Sequence, residues 1–212
     1  MTSINDMVEP HRSRLATLSN QELLDSLSTL EPLPDESDPG WDDADSTLWD
    51  RTGEFLAYAD EVAGRRLIEG VGLVLERACF GDPGEMMRGL RHSLEHAVNG
   101  DWDRLAAICA SALTSGRAGT RLWAVNELAI LRDPSSVDVL VRALGDGEAA
   151  IRSETCLAAE MLAQQHPVVA ASLLPILVSL AAGDEDAGVR RRAERAVAQL
   201  QASDAVEPSA DS

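Results

Sequence analysis

Three stretches decide how this chain folds: Thr120 to Leu131 (TRLWAVNELAIL), Ile151 to Leu162 (IRSETCLAAEML) and Val189 to Leu200 (VRRRAERAVAQL). They align without gaps. Each carries Arg in second place (Arg121, Arg152, Arg190) and Leu in last place (Leu131, Leu162, Leu200). Their starts lie 31 and 38 residues apart. Self-similarity at such periods is the signature of stacked helical repeats, in which each unit buries its apolar face against the next. Between the stretches lie apolar runs that read as second helices. Pro134 to Leu144 places Val137, Leu140, Val141 and Leu144 inward, and Pro167 to Ala182 places Leu173, Leu174, Leu177 and Leu180 inward.

Upstream, the same helical period continues. Leu105, Ile108, Cys109, Ala112 and Leu113 form one stripe, and Met87, Leu90, Leu94, Ala97 and Val98 another. Asn99-Gly100 closes the earlier helix and Asp101 suits the cap of the next. Leu67, Ile68, Val71, Val74, Leu75, Ala78 and Cys79 belong to a further stripe, weakened by Gly64, Gly70 and Gly72. Leu48, Thr52, Phe55, Leu56, Ala59, Val62 and Ala63 predict a helix starting near Ser46. Ser19 and Glu22 have capping-box spacing ahead of Leu23, Leu24, Leu27 and Leu30.

Leu131-Arg132-Asp133-Pro134, Val137 to Leu140, Ala143-Leu144, Asp146 and Ile151-Arg152 closely resemble a HEAT-like repeat of the phycobilin-lyase-related type. The resemblance spans residues 118–201, is weaker over 64–117 and is absent over 1–45. It implies two antiparallel helices per repeat, with a turn Asp binding the Arg that opens the next helix. On that pattern Asp146 clasps Arg152 and Asp184 clasps Arg190, each six residues on. Ser115 stands six residues before Arg121, so the ladder is expected to begin one repeat later. The expected fold is an all-α, HEAT-like helical-repeat solenoid of about eight to nine helices. Residues 1–45 form a short helix and an acidic arm, 46–201 the solenoid and 202–212 a disordered tail.

Charge divides the chain further. The 212 residues carry a net charge of −18. Residues 31–61 hold eleven acidic side chains against Arg51 alone, a local net of −10. Pro32, Pro34, Pro39 and Gly40 break any helix there, so the stretch to about Asp45 reads as an exposed acidic loop. So acidic a chain repels phosphates, which excludes generic binding to nucleic acid or anionic lipid. HEAT-like proteins that bind alkylated DNA use a basic groove, which this charge opposes. Every basic residue is Arg; with no Lys, Schiff-base and phosphate-loop lysine chemistry is excluded.

No G-x-S-x-G nucleophile turn and no strand-linked glycine loop occur. Cys79, Cys109 and Cys156 are odd in number and sit in apolar runs, which suggests buried free thiols and a reducing cytoplasm. Met1 to Pro10 is not a signal-peptide pattern, and the apolar run Val168 to Ala182 is too short for a membrane span. His92-Ser93-Leu94-Glu95-His96 spells H-x-x-E-H, so His92 and His96 are candidate metal ligands. The chain lacks an evident third ligand and the α/β body that accompanies this motif in zinc proteases.

The functional expectation is a non-catalytic protein–protein interaction module for a basic partner, as an adaptor or an inhibitor of immunity type, with no cofactor. It would be a monomer or weak oligomer. Candidate partner-binding residues are Trp41, Asp42, Asp43 and Asp45 in the acidic loop, Asp138 and Arg142 on a second helix, and Asp184 and Glu185 on a rim. Trp41 beside carboxylates is a natural anchor for a basic surface. Trp123 and Trp102 are expected in core or edge packing. The resemblance implies one alternative, a bilin- or tetrapyrrole-lyase-like or chaperone role; metal binding at His92 and His96 is another.

Overall fold

A computed structural model describes residues 4–34, 46–78 and 85–204. Those residues form eleven α-helices and no strand. None of these helices is long and apolar enough to cross a membrane. The chain divides into two compact units, residues 1–108 and 109–212. The expected boundary at 45/46 therefore falls inside the first unit.

The first unit starts with α1 (Ile4–Leu15), which the sequence did not announce because its apolar stripe is sparse and Pro10 interrupts it. Val8 and Leu15 are nevertheless buried. α1 packs along α3 (Ser46–Gly64), and the approach is close at Gly53. A Cβ there would collide with the Met7 carbonyl. α2 (Asn20–Thr29) opens with the expected capping box, in which the Ser19 hydroxyl accepts from the Glu22 amide and the Glu22 carboxylate accepts from the Ser19 amide. Its Leu23 and Leu27 are buried, each burial contributing roughly 1.5–3 kcal/mol. α2 packs on α4 (Ile68–Arg77).

Two arginines tie these early helices down. Arg65 Nη2 donates to the Leu15 carbonyl at 2.9 Å and its Nη1 to the Leu18 carbonyl at 2.6 Å. Arg77 Nε donates to the Leu30 carbonyl at 3.2 Å. Both guanidinium groups satisfy carbonyls at a helix C-terminal end, where positive charge is also favoured by the helix dipole. Residues 4–34 are thus part of a packed body rather than an arm. The apolar stripe from Leu48 to Ala78 is broken after Gly64, where Arg66 adopts φ +55°. α5 (Glu85–Val98) packs on α3 and closes at Asn99 and Gly100, both at positive φ. The Asp101 carboxylate accepts from the Arg104 amide at 2.9 Å and caps α6 (Trp102–Ala112). The boundary between the units lies within α6.

In the second unit, α7 (Ala118–Leu131), α9 (Ala149–Gln165) and α11 (Ala187–Asp204) pack in series, with α9 in the middle. α8 (Val137–Ala143) and α10 (Ala170–Gly183) form a second row, α8 against α9 and α10, and α10 against α11. Pro134 and Pro167 each open a short 3-10 turn ahead of a second-row helix. Proline suits that position because its missing N–H has no helical acceptor. Trp123 is buried with Val125 and Leu128 in this core. Trp102, expected in core or edge packing, is 49% exposed and so lies outside the core.

Candidate functional site

The three aligned arginines begin helices of one series, so the fold sets them in a row of rungs. Arg121 Nε donates to Asp146 Oδ2 at 2.8 Å and Nη2 to Asp146 Oδ1 at 3.0 Å. Arg152 repeats the fork on Asp184, at 2.8 and 2.9 Å. Each carboxylate also accepts a backbone amide two residues on, Glu148 for Asp146 at 2.9 Å and Asp186 for Asp184 at 2.8 Å. The third nitrogen of each guanidinium turns to the preceding loop. Arg121 Nη1 donates to the Ser115 carbonyl, Arg152 Nη1 to the Asp146 and Gly147 carbonyls, and Arg190 Nη1 to the Asp184 and Glu185 carbonyls.

This corrects the expected pairing. Asp146 does not hold Arg152 through its carboxylate, nor Asp184 Arg190. The six-residue contact runs through the backbone carbonyl, and the carboxylate takes the fork of the Arg one helix earlier. The ladder therefore starts at Arg121, because a carbonyl acceptor needs no Asp at position 115. Such planar two-bond pairs are the strongest side-chain hydrogen bonds available at a carboxylate.

Burial grades the rungs. The Arg152 and Asp184 side chains are 8% and 4% exposed, and the Arg121–Asp146 pair is somewhat more open. The Arg152 fork holds the Asp184 carboxyl below the ordinary range, and Asp184 in turn raises Arg152. At Asp146, burial pushes the carboxyl upward, but the Arg121 fork and the Glu148 amide outweigh it and leave it lowered. Asp184 was a candidate for partner contact. Its burial against Arg152 removes it from the surface, whereas Glu185 is 86% exposed beside it.

Asp138 and Arg142 are exposed one turn apart on α8. Arg142 lines a cleft of about 150 Å³ with Ala110, Leu113, Thr114, Val139, Ala143 and Asp146. Trp41, Asp42, Asp43 and Asp45 lie outside the described residues, as do Cys79 and the side chain of His92. The exposed His96 ring sets Nδ1 3.2 Å from the Ala63 carbonyl, and Arg91 donates to Glu95 at 3.0 Å. Among the described residues no cluster of three His, Cys, Asp or Glu side chains could hold a metal ion.

Sequence reasoning missed the outer face of the second row. Val168, Ala171, Pro175, Val178 and Ala182 recur every three or four residues, and all are exposed. Val168 is 84% and Val178 45% exposed. The signal was present: no charged residue occurs from Pro167 to Gly183. Core packing accounts for Leu173 and Leu177 but leaves a second apolar row on the outside. Missed too was Glu160, a buried carboxylate on α9 that accepts from Gln164 at 3.3 Å. No protein-family model matches the chain, and no curated protein matches it significantly.

Proposed function

We propose that this protein is a non-catalytic protein-binding module built on HEAT-like helical repeats, and that its partner presents a basic surface. The observation that carries the reading is the outer row of α10 and of the 3-10 turn before it. Val168, Ala171, Pro175, Val178 and Ala182 offer a continuous apolar strip to solvent. Such a strip costs hydration free energy until something covers it. It ends at exposed Glu185 and Asp186, so an apolar contact is bordered by negative charge. Residues 31–61 carry a net −10, and although Glu54, Asp60 and Glu61 are paired with Arg14, Arg12 and Arg65, the remaining charge adds a field that speeds the approach of a positive partner. Support for the repeat assignment comes from the ungapped alignment, the serial packing of α7, α9 and α11, and the repeated Arg–Asp rungs. The buried thiols fit a cytoplasmic setting.

The test is kinetic. The partner is isolated from the native host by affinity purification at low salt, and association and dissociation rates are measured against ionic strength. Association falls steeply with salt, and replacing Asp35, Glu36, Asp38, Asp42, Asp43 and Asp45 by their amides slows association with little change in dissociation. Ala171→Arg or Pro175→Arg weakens binding about ten-fold or more by setting like charge against the partner. Salt-independent association, with full binding by both Arg variants, rejects the reading.

A further inference from the structure

Among the described residues α11 is the last helix of the series. The Arg190 guanidinium is positioned as the other two are, with Nη1 on the carbonyls of Asp184 and Glu185 at 2.6 and 3.0 Å. In Arg121 and Arg152 the remaining two nitrogens grip an Asp from the following turn. Among the described residues, no carboxylate meets the same two nitrogens of Arg190. The fork is held in place and empty.

The surface beside it tells the same story independently. In α9 the residues four, seven, eight and eleven after the rung arginine are Cys156, Ala159, Glu160 and Ala163, and all are buried. In α7 the first three counterparts, Val125, Leu128 and Ala129, are buried as well. In α11 the counterparts are Glu194, Val197, Ala198 and Gln201, and none is buried. They line a shallow, widely open groove of about 440 Å³ with Val178, Ala181 and Ala182 of α10. Arg190, Glu194, Val197 and Gln201 follow helical spacing, so the empty fork and the groove share one face of α11.

We propose that this end face of the second unit binds a helix of another protein that is entered through an acidic turn. The turn carboxylate takes the Arg190 fork, and the apolar side of the helix fills the groove. The chain holds the pattern for such an occupant. The turn at Asp184 and the helix α11 that follows it do this for Arg152 and α9. A second copy of the second unit does not fit by stacking its leading end here. The turn before α7 has Ser115 where a carboxylate is needed. Val178 and Ala182 belong to both this surface and the α10 row, whereas Arg190 and Ala198 lie only here and Ala171 and Pro175 only there, so substitutions at those positions test the two proposals separately.

The probe is a fluorescein-labelled synthetic peptide with the sequence of residues 183–204, titrated with the full chain and followed by anisotropy. Saturable binding is expected. Arg190→Gln, and separately Ala198→Glu, weakens it about ten-fold or more, since one removes the fork and the other puts an unpaired charge in the groove. A peptide carrying Asp184→Asn loses a similar factor on the native chain and nothing further on the Arg190→Gln chain. Circular dichroism of the variants matches the native chain, because both positions lie outside the core. Absence of saturable binding overturns the proposal. So does binding indifferent to Arg190→Gln, the result expected if the peptide displaces the chain's own α11 and depends on Arg152 instead. A dimer in sedimentation that Ala198→Glu dissolves also overturns it, by making a second copy the occupant.

Discussion

Arg152 and Asp184, thirty-two residues apart in sequence, form a two-bond ion pair at 2.8 and 2.9 Å with both side chains almost fully enclosed. One arginine thereby joins three segments, since its third nitrogen holds the carbonyls of Asp146 and Gly147. Enclosure makes the pair costly to break: removing one partner leaves the other as an uncompensated buried charge.

The three rung arginines therefore differ in weight. Arg152→Ala lowers unfolding free energy by about 3–5 kcal/mol. Arg121→Ala, at a more open pair, costs less, and Arg190→Ala, with no carboxylate on its fork, costs about 1 kcal/mol or less. Urea unfolding of the three variants gives the order. An equal loss at all three positions contradicts the graded burial.

Acid weakens the same pair. The Asp184 carboxyl lies below its ordinary value in the folded chain because of the Arg152 fork. Its contribution is complete above the ordinary carboxylate pKa of about 4 and is lost as pH falls through the lower folded value. Asp184→Asn lowers stability at neutral pH and flattens the decline below about pH 4. Thermal melts of both chains across the acid range measure the difference.

Gly53 and Gly72 give opposite responses to the same change. A Cβ at Gly53 meets the Met7 carbonyl, so Gly53→Ala forces α1 from α3 and costs about 1–3 kcal/mol. Gly72 faces open space in α4, and Gly72→Ala stabilises by about 0.5–1 kcal/mol through helix propensity. Denaturant midpoints of the two variants move in opposite directions.

Cys109 and Cys156 are chemically quiet in the folded chain. Burial pushes the Cys156 thiol up to about 12, and it pushes Cys109 up further, helped by the charge of Glu127. In a Cys79→Ser background, a thiol reagent at pH 8 reacts with neither until denaturant is added. Fast reaction of the native chain shows that these helices open.

Much of the helical content could be read from spacing alone. The Ser19–Glu22 box, the start near Ser46, the stop at Asn99-Gly100 and the two Pro-led second helices all depend on neighbours in sequence. α1 escaped notice because its stability comes from α3 and the Arg65 contacts rather than from a strong apolar stripe of its own. The rungs were half legible. The arginines and aspartates stood out, but spacing along the chain suggested partners six residues apart. A carboxylate and its own backbone carbonyl can both accept from arginine, and nothing in the spacing distinguishes them.

The sequence by itself determined the all-helical character of the described residues, the register of three aligned helices, and an acidic charge concentrated in residues 31–61. These follow from local periodicity and counting. Only the tertiary structure decided which arginine each aspartate holds, that residues 4–34 belong to a packed unit, and which apolar faces stay open. The reason is physical. A residue such as Ala159 on α9 and its counterpart Val197 on α11 are alike in polarity and spacing. Whether each is core or surface depends on whether another helix lies against it.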